Sequence, residues 1–204
     1  MTIKELNNEL GNIDIYLLDQ ILKGRYSKEM KILDAGCGEG RNIIYFLNNG
    51  YNVFGIDQNP DAIRMLHFIL GSKYPTCPKE NFSVGEVSSM SFEDESFDLV
   101  ISSAVLHFAK DHNHFHQMFS EMIRVLKPQG QLFVRMTSNI GLNGHKTNDS
   151  TGKYFLPDGS IRYLVTHQKI KELTEEFNLE FIEPVKTTNV SDLRCMTTLI
   201  LRKR

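Results

Sequence analysis

Two groups of residues in the first sixty positions have the types and spacing to hold a polar small molecule. Leu33-Asp34-Ala35-Gly36-Cys37-Gly38-Glu39-Gly40-Arg41-Asn42 sets a carboxylate and three alternating glycines between an apolar run and a helical one. Glycines there let a ligand approach the backbone and leave N–H groups pointing outward. Gly55-Ile56-Asp57-Gln58-Asn59 sets a second carboxylate at the end of another apolar run. A carboxylate so placed accepts hydrogen bonds from the vicinal hydroxyls of a ribose. Capping the next helix is the competing use of Asp57, but Asn59, directly before Pro60, serves as that cap. Together the two groups specify a nucleoside held across the carboxyl ends of adjacent strands. Arg41 stands where the dinucleotide fingerprint has its last glycine, and Asp34 precedes the first. Both features disfavour NAD.

The elements that must position these groups follow from periodicity. Leu10, Ile13, Leu17 and Ile21 share one helical face within 6–23, interrupted at Gly11-Asn12 and ended by Gly24. Lys31–Asp34 reads as a short buried strand. Arg41–Asn48 reads as a helix, Tyr51–Asp57 as a second strand, and Asn59 onward as a helix burying Ala62, Met65, Leu66 and Ile69 until Gly71. Strands follow at 81–85 and 96–102, the second apolar almost throughout, as in a parallel sheet covered on both faces. A helix over 112–126, a Lys127-Pro128-Gln129-Gly130 turn and a strand over 131–136 complete the alternation. From Thr137 to Leu164 the pattern fails, which reads as a substrate lid. A helix over 166–177, capped by Thr166, precedes two closing strands, 179–188 and 196–203, too closely linked for a helical crossover and so antiparallel. The fold class expected is α/β: a Rossmann-like, doubly wound, mostly parallel seven-stranded sheet with an antiparallel last strand and helices on both faces. One domain over 1–204 is expected, with an N-terminal helical cap (1–25), a binding core (31–136), the lid (137–165) and a closing part (166–204).

Composition narrows the function. Lys and Arg number 23 against 25 Asp and Glu, a net charge of −2, which argues against a dedicated nucleic-acid binder. Three scattered cysteines give neither a disulfide framework nor a CxxC pair. No apolar run approaches the roughly 20 residues of a membrane span, and the first residues are too polar for a signal peptide, so a cytoplasmic location is expected.

Four ordered motifs carry a resemblance. Leu33–Gly40 resembles motif I of the class I S-adenosylmethionine-dependent methyltransferases, and Val53-Phe54-Gly55-Ile56-Asp57 resembles their ribose-binding strand. Gly85-Glu86-Val87, with Ser91–Val100, is similar to their adenine-binding turn and fourth strand. Arg124–Gly130 is similar to their turn into strand five. The resemblance covers about 31–136. It is of the methyltransferase type 11 kind, and Gly40-Arg41-Asn42 with Gly50-Tyr51 also resembles the tellurite-resistance-type subgroup.

The resemblance implies S-adenosyl-L-methionine as cofactor, with S-adenosyl-L-homocysteine as product. Asp34 and the Ser102 carbonyl would receive its ammonium, and Gly36, Gly38 and the N–H groups at Arg41 and Asn42 its carboxylate. Cys37 would pack under the glycines. Asp57 and Gln58 would take the ribose, Glu86 the adenine amino group, Val87 the ring, and Leu106 would pack on the cofactor. Asp is common in the family where Glu86 stands here. Gln129 replaces a glycine of the Lys-Pro-Gly-Gly turn, leaving Gly130 to take the positive φ.

The acceptor side is less legible. His107 is the candidate general base, because imidazole titrates near neutrality, and shaping the pocket is its competing role. His112 and His116, at i and i+4, are spaced as a metal pair, but a solvated first helical turn explains them and no metal is assigned. Arg135, Asn139, His145, Lys146, Tyr154, Arg162 and Tyr163 supply a wall that suits an anionic or aromatic acceptor. The expected function is methyl transfer to a small-molecule acceptor, with no nucleic-acid or membrane partner. The alternative is a non-catalytic S-adenosylmethionine-binding regulatory or partner protein.

Overall fold

The computed structural model describes residues 2–142 and 150–204. Two short helices open the chain, α1 (Ile3–Leu10) and α2 (Ile15–Leu22). Thr2 and Glu5 close a capping box on α1, and Asp14 caps α2 by accepting from the Tyr16 N–H. Then come β1 (Lys31–Ala35), α3 (Ile44–Asn48), β2 (Asn52–Asp57), α4 (Pro60–Lys73), β3 (Phe82–Val84), β4 (Phe97–Ser103), α5 (His112–Val125) and β5 (Leu126–Ser138). A separate hairpin, β6 (Lys153–Phe155) and β7 (Ile161–Tyr163), leads to α6 (His167–Glu176), β8 (Leu179–Phe181), β9 (Lys186–Val190) and β10 (Arg194–Lys203).

The sheet runs β3-β2-β1-β4-β5-β10-β8, with β9 also on β10. The first five strands pair in parallel, and β10 is antiparallel to β5, β8 and β9. Strand alternation divides the apolar residues between two faces. Ile32, Leu99, Ile101, Phe133 and Ile200 pack with Leu17 of α2, Phe46 of α3 and Leu66 of α4. Leu33, Val100, Leu132, Val134 and Leu201 pack with Phe115 and Met122 of α5 and Ile170 and Leu173 of α6. This is the doubly wound sheet with an antiparallel last strand that the sequence pattern leads one to expect. It brings the ends of β1, β2 and β4 to one edge.

Several local expectations are corrected. The buried face of α4 is Ala62, Ile63, Leu66 and Leu70, while Met65 is exposed and Ile69 only half-buried. Ile63 and Leu70 lie one residue on from the expected positions, still four and seven apart on the face that meets the sheet. Gly71 does not stop α4, which runs to Lys73 and closes with the Tyr74 N–H on the Leu70 carbonyl. The helix expected from Arg41 starts at Ile44, after a run of turns. Gln129, not Gly130, takes the positive φ, at 64°. Gly130 is needed for space, since a Cβ there would lie 2.8 Å from the Lys127 carbonyl oxygen. The strand expected over 131–136 extends to 126–138, with a register shift against β4. The single strand expected over 179–188 is two, β8 and β9. The stretch from Thr137 to Leu164 is not featureless: β5 continues to Ser138, and β6 and β7 form their hairpin there. His145 and Lys146 lie outside the described residues.

Candidate functional site

A cavity of ≈ 290 Å³ opens at the carboxyl edge of β1, β2 and β4, and Gly36, Asp57, Gln58, Glu86 and Val87 line it. Gly36 has φ 87°, and a Cβ there would lie 2.4 Å from Val105 Cγ2, so only glycine fits between β1 and the wall after β4. The Gly38 N–H donates to Asp57 Oδ2 at 2.8 Å, and the Asn59 N–H donates to Oδ1 at 2.8 Å. The carboxylate is thereby fixed in orientation and keeps acceptor capacity on both oxygens. Asn59 caps α4 through the Asp61 N–H. Gln58 and Glu86 are exposed at the rim, and Val87 is buried. Cys37 is buried, its N–H bonded to the Ile56 carbonyl at 3.0 Å, and burial pushes its thiol pKa up. It is a packing residue beneath the loop, not a nucleophile.

Asp34 is the penultimate residue of β1, beside Ile101, with 1% of its surface exposed. Neither of its carboxylate oxygens has a hydrogen-bond partner among the described residues. Burial pushes its pKa up to about 7, against the pull of the nearby Arg41 guanidinium. A buried carboxylate with no donor is costly unless something binds it. Ser102, next along β4, is fully buried and its hydroxyl is likewise unpartnered.

Arg41 and Asn42 do not open a helix; they join the N-terminal segment to the sheet. Arg41 donates to the Asn12 carbonyl at 3.2 Å and to Ser103 Oγ at 3.0 Å. Asn42 is buried and accepts from the Asp14 N–H at 3.0 Å. Asp14, 3% exposed, is the centre of this network: its Oδ2 takes the Ser103 hydroxyl at 3.0 Å and Arg135 at 2.9 Å. Arg135 also stacks on the Tyr16 ring at 5.1 Å, and the Tyr16 hydroxyl meets Thr188 at 2.5 Å. Sequence reading missed Asp14 and Ser103. Asp14 reads locally as an ordinary helix cap, and its partners lie 89 and 121 residues away.

His107 sits in a 3₁₀ turn (Leu106–Phe108) and is 7% exposed, with Nδ1 buried and unpartnered. Burial first, then the Arg162 and Arg194 guanidiniums, lowers its pKa to about 4, so it is neutral at pH 7. Leu106 is fully buried and does not line the cavity; Val105 and Phe108 do. The three following histidines diverge: His112 meets the Tyr163 hydroxyl, His114 accepts from the Lys110 N–H, and His116 meets Glu176. Among the described residues no three metal-ligating side chains gather.

Residues 33–134 match the family model described as "Methyltransferase domain". The chain belongs to this methyltransferase family. S-adenosyl-L-methionine is the cofactor of that family, and the donor set of the cleft fits it. Asp34 is a buried carboxylate without a donor among the described residues, and Asp57 presents a fixed carboxylate to the cleft.

The methyltransferase is 31% identical over 104 residues to the phthiotriol/phenolphthiotriol dimycocerosates methyltransferase of Mycobacterium leprae, a match covering 50% of this chain and 36% of that protein. It is 31% identical over 110 residues to the uncharacterized methyltransferase YodH of Bacillus subtilis, covering 54% and 44%. The chain thus spans less than half the length of these curated relatives. A SAM-dependent methyltransferase of Methanosarcina mazei superposes with a TM-score of 0.70 at 24% identity, covering 90% of this chain and 96% of that one. No helix among the described residues is long and apolar enough to cross a membrane.

Proposed function

We propose that this protein moves the methyl group of S-adenosyl-L-methionine to a small-molecule acceptor. The observation that carries the reading is the buried, partnerless Asp34, two residues before Gly36, which lines a cleft together with Asp57, Glu86 and Val87. When bound, the cofactor supplies a methyl carbon on a positively charged sulfur, which departs as the neutral thioether of S-adenosyl-L-homocysteine.

The residues of the chain bind and orient. Asp34 takes the ammonium of the amino-acid tail, with the Ser102 carbonyl beside it, and Gly36 and Gly38 leave room for that tail. Asp57, held by the Gly38 and Asn59 N–H groups, takes the ribose hydroxyls, with Gln58 next to it. Glu86 takes the adenine amino group, and Val87 covers the ring. Arg41 and Asn42 act through the N-terminal segment they hold. Val105, not Leu106, forms the wall against the cofactor. His107, neutral and with a bare ring nitrogen, receives the proton of the acceptor as the new bond forms. Alignment of acceptor, methyl and sulfur supplies the larger part of the rate, and such alignment contributes about 7–11 kcal/mol in favourable cases.

A small acceptor is favoured because the charge of the chain is balanced. Calorimetry with S-adenosyl-L-homocysteine tests the cofactor site. Mass spectrometry of a metabolite extract, incubated with the protein and methyl-labelled cofactor, tests the transfer. Binding without any labelled product would favour a non-catalytic binding protein. No binding would reject both readings.

A further inference from the structure

Beside His107 and Phe108, the latter lining the cleft, stands a guanidinium with no carboxylate at ion-pair distance among the described residues. Tyr154 and Arg162 are cross-strand partners in the β6–β7 hairpin, so their side chains share the face turned to the 3₁₀ turn. The Arg162 guanidinium lies 4.7 Å above the Phe108 ring, whose centroid is 4.6 Å from that of His107. Arg194 enters from the start of β10 and meets Asp158 of the hairpin turn at 3.5 Å. Asp158 is itself occupied by the Ser160 N–H and hydroxyl, at 2.9 and 2.6 Å. Arg162 has no carboxylate at ion-pair distance among the described residues. Its guanidinium donates to the Ile161 carbonyl, the residue before it in the chain, at 2.8 Å. Next to the cleft-lining Phe108 there is therefore a half-buried guanidinium with no ion-pair partner among the described residues, an exposed second one paired with Asp158, whose charge also reaches Arg162, and a buried imidazole whose Nδ1 has no partner.

We propose that the acceptor is an organic acid whose carboxylate is bound by Arg162, with Arg194 adding to the field, so that the rest of the molecule lies against His107. This deepens the methyltransferase reading and rests on it. The planar fork of a guanidinium matches a carboxylate through two parallel N–H···O bonds, and Phe108 holds that fork flat. The two guanidiniums disfavour a cation in the same place. A neutral acceptor would leave Arg162 unanswered and still more deeply buried once the cleft filled. Both guanidiniums disfavour the imidazolium of His107, and a bound anion would cancel that repulsion.

The test uses the full chain saturated with S-adenosyl-L-homocysteine, whose own binding is measured first. Calorimetry then compares 4-hydroxybenzoate, salicylate and cinnamate with their amides and with benzylamine. At least one carboxylate should bind ten-fold or more tightly than its amide, and benzylamine should not bind. Arg162→Met should weaken that carboxylate ten-fold or more and leave the affinity for S-adenosyl-L-homocysteine unchanged. Arg162→Lys should restore part of the loss. Amides that bind as well as the acids, carboxylate binding indifferent to Arg162→Met, or no carboxylate binding at millimolar concentration would each overturn the proposal while the cofactor reading stands. Failure of S-adenosyl-L-homocysteine to bind would overturn both.

Discussion

The Gly38 N–H and the Asp57 carboxylate are joined at 2.8 Å, so the loop after β1 is fixed by the last residue of β2. Asp57 thus has two tasks on one side chain, shaping the glycine loop and presenting its remaining lone pairs to the cleft. Asp57→Ala should leave the sheet folded, because the residue is only half-buried at a strand end. It should weaken S-adenosyl-L-homocysteine by about 1.5–3 kcal/mol, the range for hydrogen bonds to a charged group. Calorimetry on a variant with unchanged circular dichroism checks it, and undiminished affinity would remove the ribose role.

Asp34 should couple cofactor binding to pH. Its pKa of about 7 in the folded, ligand-free protein exceeds the unfolded value of about 3.9. From pH about 4 to about 7 the unfolded chain sheds this proton while the folded chain keeps it. The stability linked to Asp34 is therefore full below about pH 4 and is lost as pH rises through 7. Asp34→Asn should raise the melting temperature of the ligand-free protein at pH 8 and cost most of the cofactor affinity. In the wild type, S-adenosyl-L-homocysteine binding at pH 6 should release a proton, since an ammonium partner ionises the carboxyl. Calorimetry in buffers of different ionisation enthalpy reads that proton directly.

His107 should act in the opposite direction. Its folded pKa of about 4 lies below the unfolded value of about 6.5. The unfolded chain takes up a proton first, so this part of the stability is present above about pH 6.5 and is lost as pH falls through 4. His107→Gln should flatten the acid limb of a urea-stability profile between those values. It should also lower turnover more than cofactor affinity if the imidazole receives the proton of the acceptor. Turnover unchanged in the variant would reduce His107 to a packing residue.

Asp14 should matter far more than a helix cap. Its removal leaves Arg135 without its ion pair and frees Ser103 and the α2 N-terminus together. Asp14→Ala should cost about 3–5 kcal/mol, as when one partner of a buried ion pair is removed. The double variant Asp14→Ala with Arg135→Met should be less destabilised than the sum of the two single variants. Denaturant titrations of the four proteins give the coupling energy, and strict additivity would mean that the pair is not energetically linked.

The residues that gather at the cleft were legible in the sequence because their signals are local. Asp34, Gly36, Gly38 and Asp57 each sit at a strand end that periodicity finds, and the loop geometry needs only neighbouring residues. The contacts around Phe108 and Asp14 span long separations. Arg162 reaches Phe108 from 54 residues on, and Asp14 reaches Arg135 across 121. No window of sequence contains such a pair. The weaker local readings failed for a similar reason. The stretch after Ser138 looked structureless because a three-residue strand has no visible alternation, and Gly130 was misread as the left-handed residue because a glycine kept for space looks the same in sequence as one kept for its φ.

The position of β10 has a consequence for synthesis. It follows every other strand of the sheet in the chain, yet it lies between β5 and β8 with partners on both sides. While residues up to about 190 have left the ribosome and 194–203 have not, the long edge of β5 has no partner. That edge runs through Leu132, Phe133 and Val134, all fully buried in the finished fold. An apolar edge left open in this way is a template for wrong pairing. The nascent chain is then most prone to aggregate until 194–203 have emerged, and a pause in synthesis before that point should lower soluble yield.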